Sequence, residues 1–305
     1  MEEKFDSPTN SSTKSIAIFL LIFTTVLWGS SFIITKNIIK DFPVFLYLGI
    51  RFLFALLIFT PFLMKIRKMN RKVIWVGFLA GIIYFLSIAV QTIGLQTTTA
   101  GKGGFITGLN TVFVPFMAFL LFKKPLKARI WIAVGLSVLG MAFLFLESES
   151  GITIGDIFVL FCAFGFALYI VLVDRDVKYV DIYLYLIVQL IVITFLCFVV
   201  SLFLHESSNL TSVDISFWYI LIYMGCIASG ITFLTQNWGQ KQVGPAQTAI
   251  IFTLEPVFAV LFGVWIGNEY LSWQALIGFG LIFVAIFITV FKNEELMKKE
   301  VEKRD

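Results

Sequence analysis

Residues 91–135, QTIGLQTTTAGKGGFITGLNTVFVPFMAFLLFKKPLKARIWIAVG, recur in outline as residues 236–280, QNWGQKQVGPAQTAIIFTLEPVFAVLFGVWIGNEYLSWQALIGFG. Laid over each other without a gap, Gln91 falls on Gln236, Gly94 on Gly239, Ile106 on Ile251 and Leu109 on Leu254. Val112, Phe113, Leu126, Ile132 and Gly135 continue the match onto Val257, Phe258, Leu271, Ile277 and Gly280. Apolar helices draw on few residue types, so some of these identities are chance. Nine in one register, with Gln and Gly among them, point to a duplicated segment.

The rest of the chain sets that duplication in a membrane. The protein is 59% hydrophobic and 14% charged, with a mean hydropathy of +0.95, which excludes an ordinary soluble domain. A helical span needs about 20 apolar residues to cross about 30 Å of hydrocarbon. Ten such runs are read at 16–36, 42–64, 72–95, 101–122, 129–146, 155–173, 180–204, 215–238, 245–266 and 272–291. Residues 1–15 form a polar tail with no small-residue cleavage site following, so 16–36 is read as a retained helix. Residues 292–305 form a charged tail.

Lysine and arginine set the orientation. With the N-terminus in the cytoplasm, nineteen of these residues lie inside, in clusters at 65–72, 123–129 and the C-terminal tail. Only Lys36, Lys40 and Lys102 lie outside, together with the acidic segment Glu147-Ser148-Glu149-Ser150-Gly151. Both termini are then cytoplasmic and the span count is even. Five spans precede the acidic loop (16–147) and five follow it (155–291), so the two repeats are inverted with respect to each other. The expected fold is an all-α polytopic membrane protein of ten transmembrane helices, an architecture that secondary transporters use.

Two charges remain inside the spans. Arg51 lies about eight residues from the outer end of its span, roughly 12 Å deep, and Glu255 about ten from the inner end of its own, roughly 15 Å deep. Facing lipid, a central charge such as arginine costs roughly 2.5–3.5 kcal/mol, so both are expected to face the bundle interior or a wet cavity. The depths allow a direct or water-bridged Arg51–Glu255 pair without requiring one. In the duplicated register Glu255 corresponds to Asn110. Pro256 follows Glu255 directly, Pro115 lies beyond Asn110, and Gly101-Lys102-Gly103-Gly104 softens the start of that span. Weak helix in equivalent segments of two repeats points to a substrate path. The competing reading is a pair of ordinary proline kinks and a packing ion pair.

Gln189, Trp28, Tyr84 and Tyr169 are further candidates for the path, although an interhelical hydrogen bond explains Gln189 and packing explains most rings. Gln91, Gln236 and Asn237, near span ends, are assigned to interhelical hydrogen bonding. Cys162, Cys197 and Cys226 fall inside spans without metal-ligand spacing, and His205 is the only histidine. No metal, cofactor or nucleic-acid partner is expected. The spans offer one central acid and no histidine, which argues against a membrane-embedded enzyme.

Taken together with Trp28-Gly29-Ser30-Ser31-Phe32 through Lys36, Arg51-Phe52, Leu254-Glu255-Pro256-Val257-Phe258 and Gly267-Asn268-Glu269, the chain resembles the drug/metabolite transporter superfamily, specifically its EamA-type ten-helix proteins. It departs from them at Lys124, where relatives often carry an acid matching Glu269. The resemblance implies a carrier of amino acids or related small metabolites in the bacterial cytoplasmic membrane, working in export by alternating access. Energy then comes from an ion gradient, with protons handled at Glu255, or from the substrate's own gradient. A monomer and a homodimer both fit. A channel-like permease and a non-transporting sensor or scaffold are the alternatives.

Overall fold

The computed structural model describes residues 11–122, 128–145, 153–208, 214–267 and 273–301, and every regular element among them is helical. Lys124, Asn268, Glu269 and the 147–151 loop lie outside the described residues. The first half comprises α1 (Ser11–Asp41), α2 (Val44–Ile58), α3 (Arg71–Gly94), α4 (Ala100–Gly108), α5 (Asn110–Phe122) and α6 (Ala128–Phe145). The second comprises α7 (Ile154–Asp176), α8 (Ile182–Phe203), α9 (Ile215–Ile222), α10 (Thr232–Val243), α11 (Pro245–Phe252), α12 (Leu254–Gly267) and α13 (Trp273–Val301).

Local chemistry marks the helix ends. Asn70 accepts from Val73 N at 2.9 Å to start α3, and Asp181 accepts from Tyr183 N and Leu184 N to start α8. Thr153 and Asp156 exchange side-chain and backbone bonds as a capping box at the head of α7. Gly244, at φ +84°, turns the chain between α10 and α11, and Pro245 opens α11. The amides of Phe45 and Leu46 at the head of α2 donate to Glu206, which lies beyond the end of α8.

Among the described residues, seven helices are long and apolar enough to cross a membrane, or eight if α2 and the 3₁₀ stretch Thr60–Lys68 form one span. Those two pieces meet at a bend of 68°. The sequence reading runs that span straight from 42 to 64, but Pro61 removes the amide that would bond to Leu57 and the chain turns into the tighter helix there. Two shorter apolar stretches, Ala128–Phe143 and Leu276–Ile288, lie within α6 and α13. The bundle's outer surface carries large apolar side chains such as Phe19, Phe161 and Phe195, each more than 60% exposed. Lipid is the solvent that such a surface fits.

The packing interchanges the halves. α1 packs on α10 and α12; correspondingly, α7, the first helix of the second half, packs on α3 and α5. α2 packs on the π-helical stretch Tyr223–Ile231 between α9 and α10, and α8 packs on α3. The last helices, α6 and α13, pack on each other, as do α4 and α12. Each contact has a partner under exchange of the repeats, as a pseudo-two-fold relation requires.

The corresponding spans α4–α5 and α11–α12 are both interrupted at mid-length. Pro256 has no amide for the carbonyl of Phe252, and α11 stops there; Thr253 N bonds Ile250 O at 3.1 Å instead. In α4–α5 the interruption falls at Leu109, whose amide bonds Ile106 O at 3.1 Å. Pro115, expected to break this span, lies inside α5. The helix restarts at Asn110, so Pro115 forfeits one bond to Thr111 near the start of a fresh helix. The break itself follows Gly103, Gly104 and Gly108, poor helix formers. A Cβ on Gly104 or Gly108 would lie 3.6 Å and 3.4 Å from the Pro256 residue, so α4 and α12 cross beside their breaks.

α1 approaches α12 even more closely. A Cβ on Gly29 would sit 2.6 Å from Phe258 Cβ and 2.9 Å from the backbone nitrogen of Ala259. Backbone cannot swing aside as a side-chain tip can. Gly29→Val is therefore expected to cost about 1–3 kcal/mol of overpacking. Thermal unfolding in detergent checks it, and an unchanged midpoint would show that α1 and α12 separate freely.

Candidate functional site

The interrupted helices open onto a cavity walled by both halves. α1 contributes Trp28 and Thr35, α2 Arg51, and α3 Tyr84 and Gln91. Thr107 and Asn110 flank the first break, and Phe252 and Glu255 flank the second. α7 adds Tyr169 and Ile170, and α10 adds Gln236. Trp28, Arg51, Tyr84, Asn110, Tyr169 and Glu255, all picked from sequence, thus meet in one place. Gln189 does not line it: it exchanges hydrogen bonds with the Tyr169 hydroxyl across α7 and α8, at 3.0 and 3.3 Å. Pro256 shapes the wall through the break it causes.

Arg51 and Glu255 share the cavity without forming an ion pair. The Arg51 guanidinium goes to Ser229 and to Tyr47 on its own helix instead. Its Nε donates to Ser229 Oγ at 2.8 Å and Nη1 to the Tyr47 hydroxyl at 3.4 Å. Nη2 has no hydrogen-bond partner among the described residues. Ser229 stands in the π-helical stretch, where its hydroxyl also donates to Met224 O, five residues back. That widened turn presses against α2: a Cβ on Gly225 would come within 2.6 Å of Arg51 O. A π segment at a functional position is a recurrent device. The sequence signals it only weakly, through Gly225, Ser229 and Gly230.

Glu255 is 6% exposed and forms no side-chain hydrogen bond among the described residues. Two more acceptors near it stand unpaired. Asn110 Oδ1 and Gln236 Oε1 are buried without a partner, although both residues line the cavity. A buried unpaired oxygen costs about 1–3 kcal/mol, so such groups are tolerated where an occupant or water completes them. The site therefore has two chemical poles: a fixed cation with a spare donor, and a carboxyl with two spare amide oxygens. Aromatic rings line the same cavity, Trp28 edge-on to Phe252 at 5.1 Å and Tyr84 edge-on to Tyr169 at 5.1 Å. Among the described residues no cluster of His, Cys, Asp and Glu has the makings of a metal site.

Gln91 was assigned from sequence to interhelical hydrogen bonding. Its amide does donate to Thr107 Oγ1 at 3.0 Å, joining α3 to α4, and the residue also lines the cavity. Gln236 makes no such bond and belongs to the wall. His205 sits exposed at the end of α8, away from all of this.

A sequence profile of the EamA-like transporter family matches residues 15–146 and again residues 153–291. An uncharacterized transporter of Archaeoglobus fulgidus is 31% identical over 268 residues, covering 88% of this chain and 83% of its own length. The uncharacterized transporters YoaV and YetK of Bacillus subtilis are 22% and 24% identical, covering 89% and 88% of this chain and 95% and 84% of theirs. One solved crystal structure superposes with a TM-score of 0.75 at 18% identity, covering 94% of this chain and 99% of its own, which shows a common fold. The chain is a multi-pass membrane protein and belongs to the EamA-like transporter family.

Proposed function

We propose that this transporter is a secondary carrier of small zwitterionic metabolites, amino acids or related compounds, in the bacterial cytoplasmic membrane. Ten spans in two inverted five-helix repeats, with both termini cytoplasmic, alternate access to one central site and move the substrate outward. Protons are the coupling ion and Glu255 carries them. The observation that carries this reading is the two-pole cavity at the paired helix breaks. Arg51 Nη2 suits a carboxylate. Glu255, Asn110 Oδ1 and Gln236 Oε1 suit an ammonium group, and the aromatic rings of the lining suit an apolar side chain. Helix breaks near mid-membrane place backbone ends and polar groups where transported molecules bind.

Counterflow in proteoliposomes tests it. Vesicles preloaded with one amino acid are expected to take up the labelled form with saturable kinetics, and a panel of anionic, cationic and zwitterionic compounds defines the class. Silence across the panel, or a linear leak that never saturates, would count against a carrier.

A further inference from the structure

From Gln236 in the cavity wall, a row of polar groups on α10 runs on past the site. Thr232, Gln236 and Gln240 recur every four residues on one face, and Asn237 lies beside them. All four are essentially inaccessible, at 0–1% exposure. Asn237 Oδ1 and Gln240 Oε1 are buried without a partner, like Gln236 Oε1 in the wall. Their nitrogens fix which way the amides point. Asn237 Nδ2 donates to Phe233 O at 2.7 Å, and Gln240 Nε2 donates to Ile170 O. The free atoms are thus the oxygens, and no flip of either amide satisfies them without undoing a bond to a carbonyl.

Asn237 and Gln240 reach α7, while Thr232 accepts from Trp28 Nε1 on α1. Tyr169 and Ile170 line the cavity, and the same two residues receive the α10 amides, Tyr169 through its hydroxyl and Ile170 through its carbonyl. The hydroxyl of Tyr185, near the start of α8, is also buried and unpartnered. The trail ends where α7 and α8 turn, at the end of the bundle that carries Lys65, paired with Asp181 at 3.5 Å. Unpaired oxygens therefore run from the cavity to the lysine-rich face. Interhelical bonding, the sequence-based account of Gln236 and Asn237, explains the Asn237 nitrogen and leaves both oxygens over. A path that is dry when closed and polar when open accounts for both.

We propose that the seam between α7 and α10 is the route from the cavity to the lysine-rich face, lined by Gln236, Asn237 and Gln240. In the closed seam the amide nitrogens tie α10 to α7. When the helices part, the amide oxygens receive the donor groups of the passing substrate and its water. The proposal rests on the carrier reading, because a path needs a traveller.

The test uses the full chain in vesicles of both orientations, with Cys162, Cys197 and Cys226 replaced by alanine. Single cysteines are placed as Gln236→Cys, Gln240→Cys and, as an off-path control one residue beyond Asn237, Trp238→Cys. Gln236→Cys removes no protein hydrogen bond, so it leaves the fold intact. A charged, membrane-impermeant thiol reagent is expected to modify Gln236→Cys and Gln240→Cys from the lysine-rich side at least about fivefold faster than Trp238→Cys. Reaction of Gln236→Cys only from the opposite side, or at the control rate, overturns the route. As a second measure, Gln240→Leu is expected to slow counterflow about tenfold with an unchanged half-saturation concentration. Unchanged turnover overturns the lining role. Absence of counterflow in the parent chain strikes the carrier reading alone, since the labelling pattern is read without substrate.

Discussion

Glu255→Gln is expected to abolish gradient-driven accumulation while sparing exchange. Glutamine copies the shape of the protonated carboxyl and never releases a proton. A carrier that takes up a proton at this residue on one side and discharges it on the other is held by the substitution in one charge state. The structural disturbance is small, because Glu255 forms no hydrogen bond or ion pair among the described residues for the substitution to break. Accumulation against a gradient should drop about tenfold or more, to the level seen with the proton gradient collapsed. Counterflow, which needs no net proton movement, should stay within about twofold. Glu255→Leu should lose both, since it also removes the acceptor that an ammonium group meets. Gradient dependence that persists in Glu255→Gln would assign coupling to another ion or to the substrate alone.

Much of this was legible in the sequence because of how a membrane filters residues. A charge in lipid is expensive, so Arg51 and Glu255 had to face inward, and depth arithmetic placed them at one level. The duplicated register then singled out Asn110, and the cavity contains all three. Less legible was what holds each of them. Hydrogen-bond partners across 178 residues, such as Arg51 with Ser229, depend on the π-helical turn, whose only sequence trace is a scatter of Gly and Ser. The break before Asn110 was misplaced at Pro115 for a related reason. Proline is a strong local signal, whereas the glycines that weaken α4 act together with the Pro256 ring packed against them from another helix. Amides near span ends looked like ordinary interhelical bridges. Which of their two atoms remains unpaired is a property of packing, and no spacing rule carries it.

At the bundle end opposite the α7–α10 seam, Lys102 and Asp156 meet at 3.7 Å with side chains 1% and 8% exposed. Asp156 also accepts from the Thr98 hydroxyl and from Thr153 N at 2.8 Å, and Lys36 donates to Thr98 O. α1, α4, α7 and the α3–α4 connection are thereby tied through one carboxylate. Two charges held this deep were costly to dehydrate, and removal of one leaves the other in a pocket built for two. Lys102→Met is therefore expected to destabilise the closed bundle by about 3–5 kcal/mol, read from unfolding in detergent. Lys102→Met with Asp156→Asn should recover much of that loss, because an uncharged pair of similar volume carries no uncompensated charge. Single-variant losses below about 0.5 kcal/mol would mean that water reaches the pair and the tie is weak. A carrier that opens at this end must part α7 from the α3–α4 connection. The same variant that lowers stability should then raise the reactivity of Thr35→Cys, on the cavity wall, toward a thiol reagent added from that side.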